Sequence, residues 1–265
     1  MSQKGNNLAL PQSVLPKHVV IIPDGNRRWA RERGLPTFEG HRRGFRAADK
    51  IIRAASDWGI HTMTIWAFST DNWKRDPNEI KYLMRLYEKM IDRNLNEAIE
   101  RGGRIIHLGR KDRIPEGLLK KLTKAEERTR TNTKNILNVA LDYGGKDELL
   151  RAIKKILKDK LKPVELTEER FSSYLDTGSQ PYPNPDFIVR TSGEFRLSGI
   201  LPWQSDYAEL YFTKLHFPDF TPEIFKEALE EYTRRQRRFG GNVQQNGSSS
   251  KIKKITSKIV RHLQL

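Results

Sequence analysis

Asp24-Gly25-Asn26-Arg27-Arg28 follows Pro23, which breaks a short apolar run, HVVII at 18–22. Gly25 lets the backbone turn tightly beside a ligand. A helix opening there would aim free N–H groups and a positive dipole end at an anion. Arg28 adds a planar fork of donors suited to phosphate oxygens. Asp24 would repel a bare phosphate, but it fits if a divalent cation lies between. Mg²⁺ is usually held by one or two carboxylates plus substrate phosphate. The stretch reads as a Mg²⁺–diphosphate site, with a capped helix bearing a salt bridge as the plainer alternative. A second basic cluster, RTSGEFRLSGILPWQSDYAELYF, occupies 190–212. Arg190, Arg196 and Ser198 suit a second anion, and Glu209 could share the metal; surface arginines paired with acids are the plainer alternative. Two anion sites in apolar surroundings point to two phosphorylated, apolar substrates. Neither GxxxxGK(S/T) nor GxGxxG after a strand occurs, so the phosphates are not held as in the nucleotide-binding folds that use them.

These residues need a scaffold. β-rich runs at 18–22, 61–68, 104–108, 135–141, 186–190 and 209–212 alternate with helical stretches. In 78–101 the residues Ile80, Leu83, Met84, Tyr87, Met90, Ile91 and Leu95 fall at helical spacing. Asp76 or Asn78 would cap that helix and Gly102-Gly103 would end it. Such alternation implies an α/β single domain, a central parallel sheet flanked by helices. Ligands then gather at the carboxyl ends of strands. That rim carries Asp24 to Arg28, then Ser69 to Arg75, Asp142 to Gly145, and Arg190 to Ser198.

The chain has 265 residues and no cysteine, which excludes disulfides, thiolate metal sites and cysteine nucleophiles and fits a cytoplasmic protein. No apolar run approaches the ~20 residues needed to span a bilayer, and the first residues lack the pattern of a signal peptide. The net charge of +16 attracts polyanions: nucleic acid, anionic lipid or phosphorylated small molecules. Residues 1–16 read as a loose leader and 17–241 as the regular domain. In 242–265, NVQQNGSSS reads as a linker. The basic KIKKITSKIVRHLQL that follows reads as an amphipathic helix for peripheral contact with the inner membrane face, or as a tail that docks or stays disordered.

HVVIIPDGNRRWA, GHRRG, WAFSTDNWKR, NVALDYGGKDEL, DFIVRTSGEFRLSGILPWQSDYAELYF and RRFGG resemble, in order, the motifs of the cis-prenyltransferases, which include the undecaprenyl diphosphate synthases. The resemblance spans about 17–241. It implies a homodimer that condenses isopentenyl diphosphate onto an allylic diphosphate, typically farnesyl diphosphate, with Mg²⁺. The product would be a polyprenyl diphosphate, a lipid-carrier precursor such as undecaprenyl diphosphate. By this resemblance Asp24 matches the metal-linked acid and Glu209 the second. Gly25, Asn26, Arg28 and His41 match the allylic diphosphate cradle, to which Arg27 and Trp29 are adjacent. Arg190, Arg196 and Ser198 match isopentenyl diphosphate contacts. Ser69 and Asn72 match residues near the proton-transfer step, supported by Trp73, Arg75 and Glu79. Arg238 belongs to an Arg-x-Gly that can reach a neighbouring subunit's site. A growing chain needs an apolar tunnel, for which Ile51, Ile65, Ala67, Met84, Leu86, Ile106 and Leu137 are candidates.

Pro23, Arg27, Thr37, Phe195, Gly199, Ile200 and Asn135 depart from the bacterial pattern and leave product length open. A short-chain or irregular synthase of the same family and a non-catalytic partner subunit are the alternatives. The retained Asp24, Arg190, Arg196 and Glu209 speak against the latter. Nucleic acid is not an expected partner, because the tryptophans sit inside the motifs just quoted rather than on a stacking platform.

Overall fold

The computed structural model describes residues 14–235. Six strands form one parallel sheet: β1 (His18–Ile22), β2 (Thr62–Ser69), β3 (Gly103–Leu108), β4 (Asn135–Tyr143), β5 (Phe187–Arg190) and β6 (Glu209–Phe212). Their order across the sheet is β3-β4-β2-β1-β5-β6. The helices are α1 (Asn26–Glu32), α2 (Thr37–Asp57), α3 (Pro77–Glu100), α4 (Glu116–Thr129), α5 (Gly145–Lys158), α6 (Glu168–Ser172) and α7 (Pro222–Arg234).

Parallel strands need helices on both faces, so their side chains are buried on both sides. All five residues of β1 are buried. Val19 and Ile21 join one cluster with Ile51, Phe187, Val189 and Phe225. Val20 and Ile22 join the opposite one with Leu108, Tyr143, Ile188 and Ile200. Leu15 is also buried in the first cluster, so the end of the expected loose leader packs onto the domain. The linker and tail expected at 242–265 lie outside the described residues.

The chain passes outward from β1 to β2 and the edge strand β3, places β4 between those two, then crosses to the other side of β1 for β5 and β6. This reversal makes the carboxyl ends of β1 and β5 a topological switch point, where open sheets of this kind bind ligands. The register places Ile22 beside Arg190, so the residues that follow each strand meet there.

Two helix ends matter to the rim. Asp76 is the residue that caps α3, accepting from the N–H groups of Asn78 at 2.8 Å and Glu79 at 3.2 Å. Pro77 sits in the first turn, where it costs no hydrogen bond. α1 and α2 cross at Gly40, where a Cβ would stand 2.0 Å from the Asn26 carbonyl oxygen. Gly117 in α4 has no such neighbour; its Cβ would come to 3.4 Å from Glu88 Oε1.

These two helical glycines should therefore respond oppositely to alanine. Gly40→Ala should cost about 2 kcal/mol through overpacking, whereas Gly117→Ala should gain a few tenths to about 1 kcal/mol. Thermal unfolding of both variants checks the sign.

His18 supplies a second test. It is fully buried, and its Nε2 lies 2.8 Å from Thr64 Oγ1. Burial pushes its pKa from 6.5 down to about 4, against the opposing pull of Asp186. Below pH ~6.5 the unfolded chain takes a proton that the folded chain refuses. Stability should fall by roughly 2–3 kcal/mol as pH drops from about 6.5 to about 4. Denaturant titrations of His18→Gln should lose that slope; an unchanged slope would assign it to other groups.

Candidate active site

The site is built on the loop after β1. Gly25 has φ +95°, and a Cβ there would meet Ser192 Oγ at 2.4 Å and His216 Nδ1 at 2.6 Å. Only glycine fits this tight, left-handed turn. Thr191, fully buried, fixes the preceding residue on both sides: its hydroxyl accepts from the Asp24 N–H at 3.0 Å and donates to the Asp24 carbonyl at 2.8 Å.

So held, the Asp24 carboxylate lies between two guanidinium groups. Arg190 Nη2 donates to Oδ2 at 2.9 Å, and Arg28 Nη2 donates to Oδ1 at 3.1 Å. Oδ1 also accepts the Gly25 N–H at 2.7 Å. Partial burial pushes the Asp24 pKa up. The hydrogen bond and charge of Arg190, with the charge of Arg28, outweigh it and hold the carboxyl below its usual range. Asp24 is therefore ionised at neutral pH.

Each arginine is oriented by a second group. Arg28 also donates to Glu194 at 2.8 Å and to the Ser192 carbonyl at 3.2 Å. Arg190 is nearly buried, donates to Ser198 Oγ at 2.8 Å and to the Arg196 carbonyl, and keeps its Nε without a partner among the described residues. A buried donor of this kind is costly unless something accepts from it. An anion in the cleft would.

A second array faces the first. Glu79, buried, accepts from His41 Nε2 at 3.0 Å and Arg75 Nη1 at 3.2 Å, with Arg27 Nε at 3.8 Å. Burial raises its pKa, but the His41 bond and charge and the two arginines bring it below the ordinary value. Ser69 and Asn72 form a reciprocal capping box on the turn Thr70–Lys74. Asn72 Oδ1 accepts the Ser69 N–H at 3.1 Å, and the other half of its amide makes no hydrogen bond among the described residues. Trp73 and Arg113 both donate to the buried Asp142, at 2.8 and 2.9 Å, and so anchor that turn on β4.

Both arrays open into one cleft of about 1150 Å³. Its mouth carries Asp24, Gly25, Asn26, Arg27, Arg28, His41, Ser69, Asn72, Arg75, Arg190 and Ser198. Its interior is walled by Phe45, Ala48, Ile52, Leu83, Tyr87 and Val139, with Ile65, Ala67 and Leu137 from the sequence-based tunnel set. That set is corrected in part. Ile51 and Met84 are buried in core clusters, and Leu86 and Ile106 do not line the cleft. The period-3.6 pattern marks a helix's inward face without separating core from cavity. Asn135 does not reach the cavity either; its amide donates to Ser56 at 2.8 Å.

Three further expectations differ from the structure. Trp29 does not face the cleft. It is buried, and its indole N–H donates to Asp219 at 2.8 Å under Arg33, whose guanidinium lies 4.4 Å from the ring centroid. Arg196 is exposed, paired with Glu194 and outside the cleft lining, while its carbonyl accepts from Arg190. Glu209 begins β6 beside Phe187, three residues before the level of Arg190. That is ~10 Å along the strand, and Glu209 does not line the cleft. Within one chain it does not share an ion with Asp24. Arg238 lies outside the described residues.

The sequence reading did not assign Thr191, Glu194, Arg31 or Lys146, although the last three line the cleft. Thr191 and Glu194 stood on the expected rim, and Arg31 lies one helical turn after Arg27.

The comparisons with known proteins agree with this geometry. A family described as "Putative undecaprenyl diphosphate synthase" matches residues 22–240. The isoprenyl transferase of Thermotoga maritima is 47% identical over 229 residues, covering 86% of this chain and 97% of the relative. That of Aquifex aeolicus is 46% identical, covering 85% and 96%. Among solved structures, lavandulyl diphosphate synthase from Lavandula x intermedia, in complex with dimethylallyl diphosphate, has a TM-score of 0.83 at 36% identity, covering 86% of this chain and 99% of that one. A "probable undecaprenyl diphosphate synthase" from Campylobacter jejuni has a TM-score of 0.71 at 31% identity, covering 85% and 98%. The chain belongs to the undecaprenyl diphosphate synthase family and is a prenyltransferase.

Proposed function

We propose that this prenyltransferase elongates an allylic diphosphate, farnesyl diphosphate being the expected primer, by cis addition of isopentenyl diphosphate. The observation that carries the reading is the Arg28–Asp24–Arg190 array at the mouth of a long apolar cleft. Such a site suits a molecule with a diphosphate head and a hydrocarbon tail. The allylic diphosphate would lie against Gly25, Asn26, Arg27 and Arg28, with His41 and Arg75 opposite and its chain among Phe45, Ala48 and Leu83. Isopentenyl diphosphate would take Arg190 and Ser198.

Asp24 fits a divalent cation: it is a hard oxygen donor, ionised, on the wall where the phosphates would sit. No three metal-ligating side chains cluster among the described residues. That suits Mg²⁺, which keeps water and substrate phosphate oxygens in its shell. Bound there, Mg²⁺ would neutralise charge on the departing diphosphate.

The residues of the chain would do the rest. The C1–O bond of the allylic substrate breaks and diphosphate leaves with the bonding pair. Arg28 and Arg27 hold the leaving charge. The isopentenyl π electrons bond C4 to C1, which Arg190 and Ser198 favour by fixing the two heads side by side. A proton is then lost from C2 of the isopentenyl unit, giving the new double bond. Ser69 and Asn72, on the cleft wall, would orient that unit. The lengthened product moves its chain deeper into the cleft. Homodimer formation, and membrane contact through the tail at 242–265, extend this reading from the resemblance.

A second reading is favoured by one observation, the likeness to lavandulyl diphosphate synthase. It is an irregular coupling of two five-carbon units. Dimethylallyl diphosphate supplied alone would be consumed in that case and would not be in the first. The retained Asn26, Arg190 and Ser198 favour the first.

Asp24→Asn, which leaves Arg190 without its acid and should lower the melting temperature, should lower kcat by about 10³-fold in the folded enzyme, measured as incorporation of labelled isopentenyl diphosphate. Wild-type turnover in the variant would remove Asp24 from the chemistry. Ala48→Phe should shorten the longest product, because the ring fills the cavity beside Ile52; an unchanged product ladder would mean that the chain runs elsewhere.

A further inference from the structure

The two helices that wall the apolar cleft carry unusual outer faces. α2 and α3 run parallel, as Phe38 pairs with Tyr82 at 4.7 Å, Phe45 with Tyr87 at 5.1 Å and Arg53 with Glu97. On α3, Lys81, Arg85, Lys89 and Arg93 stand four residues apart, all exposed. On α2, Arg46 and Lys50 are likewise exposed and four apart. None of these six has an acidic partner among the described residues. Their neighbours Arg42, Arg43 and Arg53 on α2 and Arg101 after α3 are ion-paired, as are Arg110 and Arg151, whereas Lys154, Lys155 and Lys158 on α5 are also exposed without an ion pair among the described residues.

Like charges at a spacing of four weaken a helix. The acids nearest the α3 row, Glu88, Asp92 and Glu97, are engaged by Lys121, Arg53 and Arg101, so the row stays uncompensated, which points to a use outside the fold. The rows converge on a groove of about 480 Å³ lined by Arg43, Arg46, Lys50 and Arg93, with Asp49 as its acid. Asp49 is itself engaged by Arg53 at 3.4 Å. At the other end of the same helix pair, Leu35 and Phe38 are 40% and 41% exposed beside Tyr82. Cations flanking exposed apolar and aromatic side chains suit a bilayer interface, where the charges meet headgroup phosphates and the rings enter the boundary.

We propose that the outer face of α2 and α3 docks on an anionic phospholipid surface. The proposal rests on the reading of the cleft as a polyprenyl site. The inner faces of these helices, with Phe45, Ala48, Ile52, Leu83, Tyr87 and Met90, enclose the hydrocarbon product. Their outer faces set that enclosure on the bilayer that must receive it. Each cation near an anionic bilayer adds roughly fivefold to binding.

The test uses the full chain and vesicles of phosphatidylglycerol mixed with phosphatidylcholine, set against phosphatidylcholine alone, in co-sedimentation without substrates. The wild type should partition to the anionic vesicles and be released by salt. Arg85→Glu with Arg93→Glu should weaken partition about twentyfold or more. Its melting temperature should change little, because each new acid lies four residues from a lysine, which at position 93 offsets the like charge of Glu97 four residues on. Its incorporation of isopentenyl diphosphate in detergent solution should match wild type, since neither residue lines the cleft. A wild type that ignores anionic vesicles, or a double variant that partitions like wild type, overturns the docking face. So does loss of partition only in Lys251→Glu with Lys253→Glu and Lys254→Glu, which would assign the contact to the tail. Failure to incorporate isopentenyl diphosphate is a separate readout and would overturn the reading of the cleft.

Discussion

The site depends on one carboxylate held between two arginines. Asp24 follows β1, Arg190 ends β5, and the parallel register that sets Ile22 beside Arg190 brings them together. Arg190 is nearly buried, so without an acid its charge would be expensive. Asp24 relieves that cost and is kept ionised in return. Gly25, Thr191 and the carbonyls of Ser192 and Arg196 then have one task, to hold these groups against their mutual freedom. An array so organised sets two guanidinium groups among the acids Asp24 and Glu194, and it faces an apolar cavity. Few molecules other than a prenyl diphosphate present both faces in that order.

The cavity is a consequence of how α2 and α3 pack. Both helices use small or slender residues where they face the sheet's carboxyl end, among them Gly44, Ala48 and Leu83. Gly44 is required there, since a Cβ would stand 2.2 Å from Asn26 Oδ1. The diphosphate loop and the cavity wall are thus fitted to each other across α1 and α2. A change in one should be felt in the other. The same two helices turn a basic outer face to solvent, so a single helix pair serves both the hydrocarbon chain and the charged exterior.

Much of this was legible in the sequence, because the physics that sets it is local. The six strands lie within a residue or two of their expected positions, since short β-branched runs bounded by polar loops have few other options. Asp24, Arg28, Arg190 and Ser198 were readable because glycine, acid and arginine at the end of a strand imply an anion. What failed was direction. Trp29 lies beside Arg28 in sequence, yet helix geometry turns it toward Asp219. Glu209 opens its strand rather than following it, so it lies toward the sheet's other end from Asp24. Ile51 and Met84 have the spacing of a cavity wall and are core instead. Tertiary distances of this kind are carried by register and crossing angle, which no single stretch encodes.

The central claim is that the array at Asp24 and the cleft behind it hold two diphosphates and one growing chain. The most direct measurement is incubation of the purified wild-type protein with labelled isopentenyl diphosphate and farnesyl diphosphate, with and without Mg²⁺, and separation of the products by length. The account predicts label in a ladder or a long polyprenyl diphosphate, dependent on the metal. No incorporation with farnesyl, geranyl or dimethylallyl primers would contradict it.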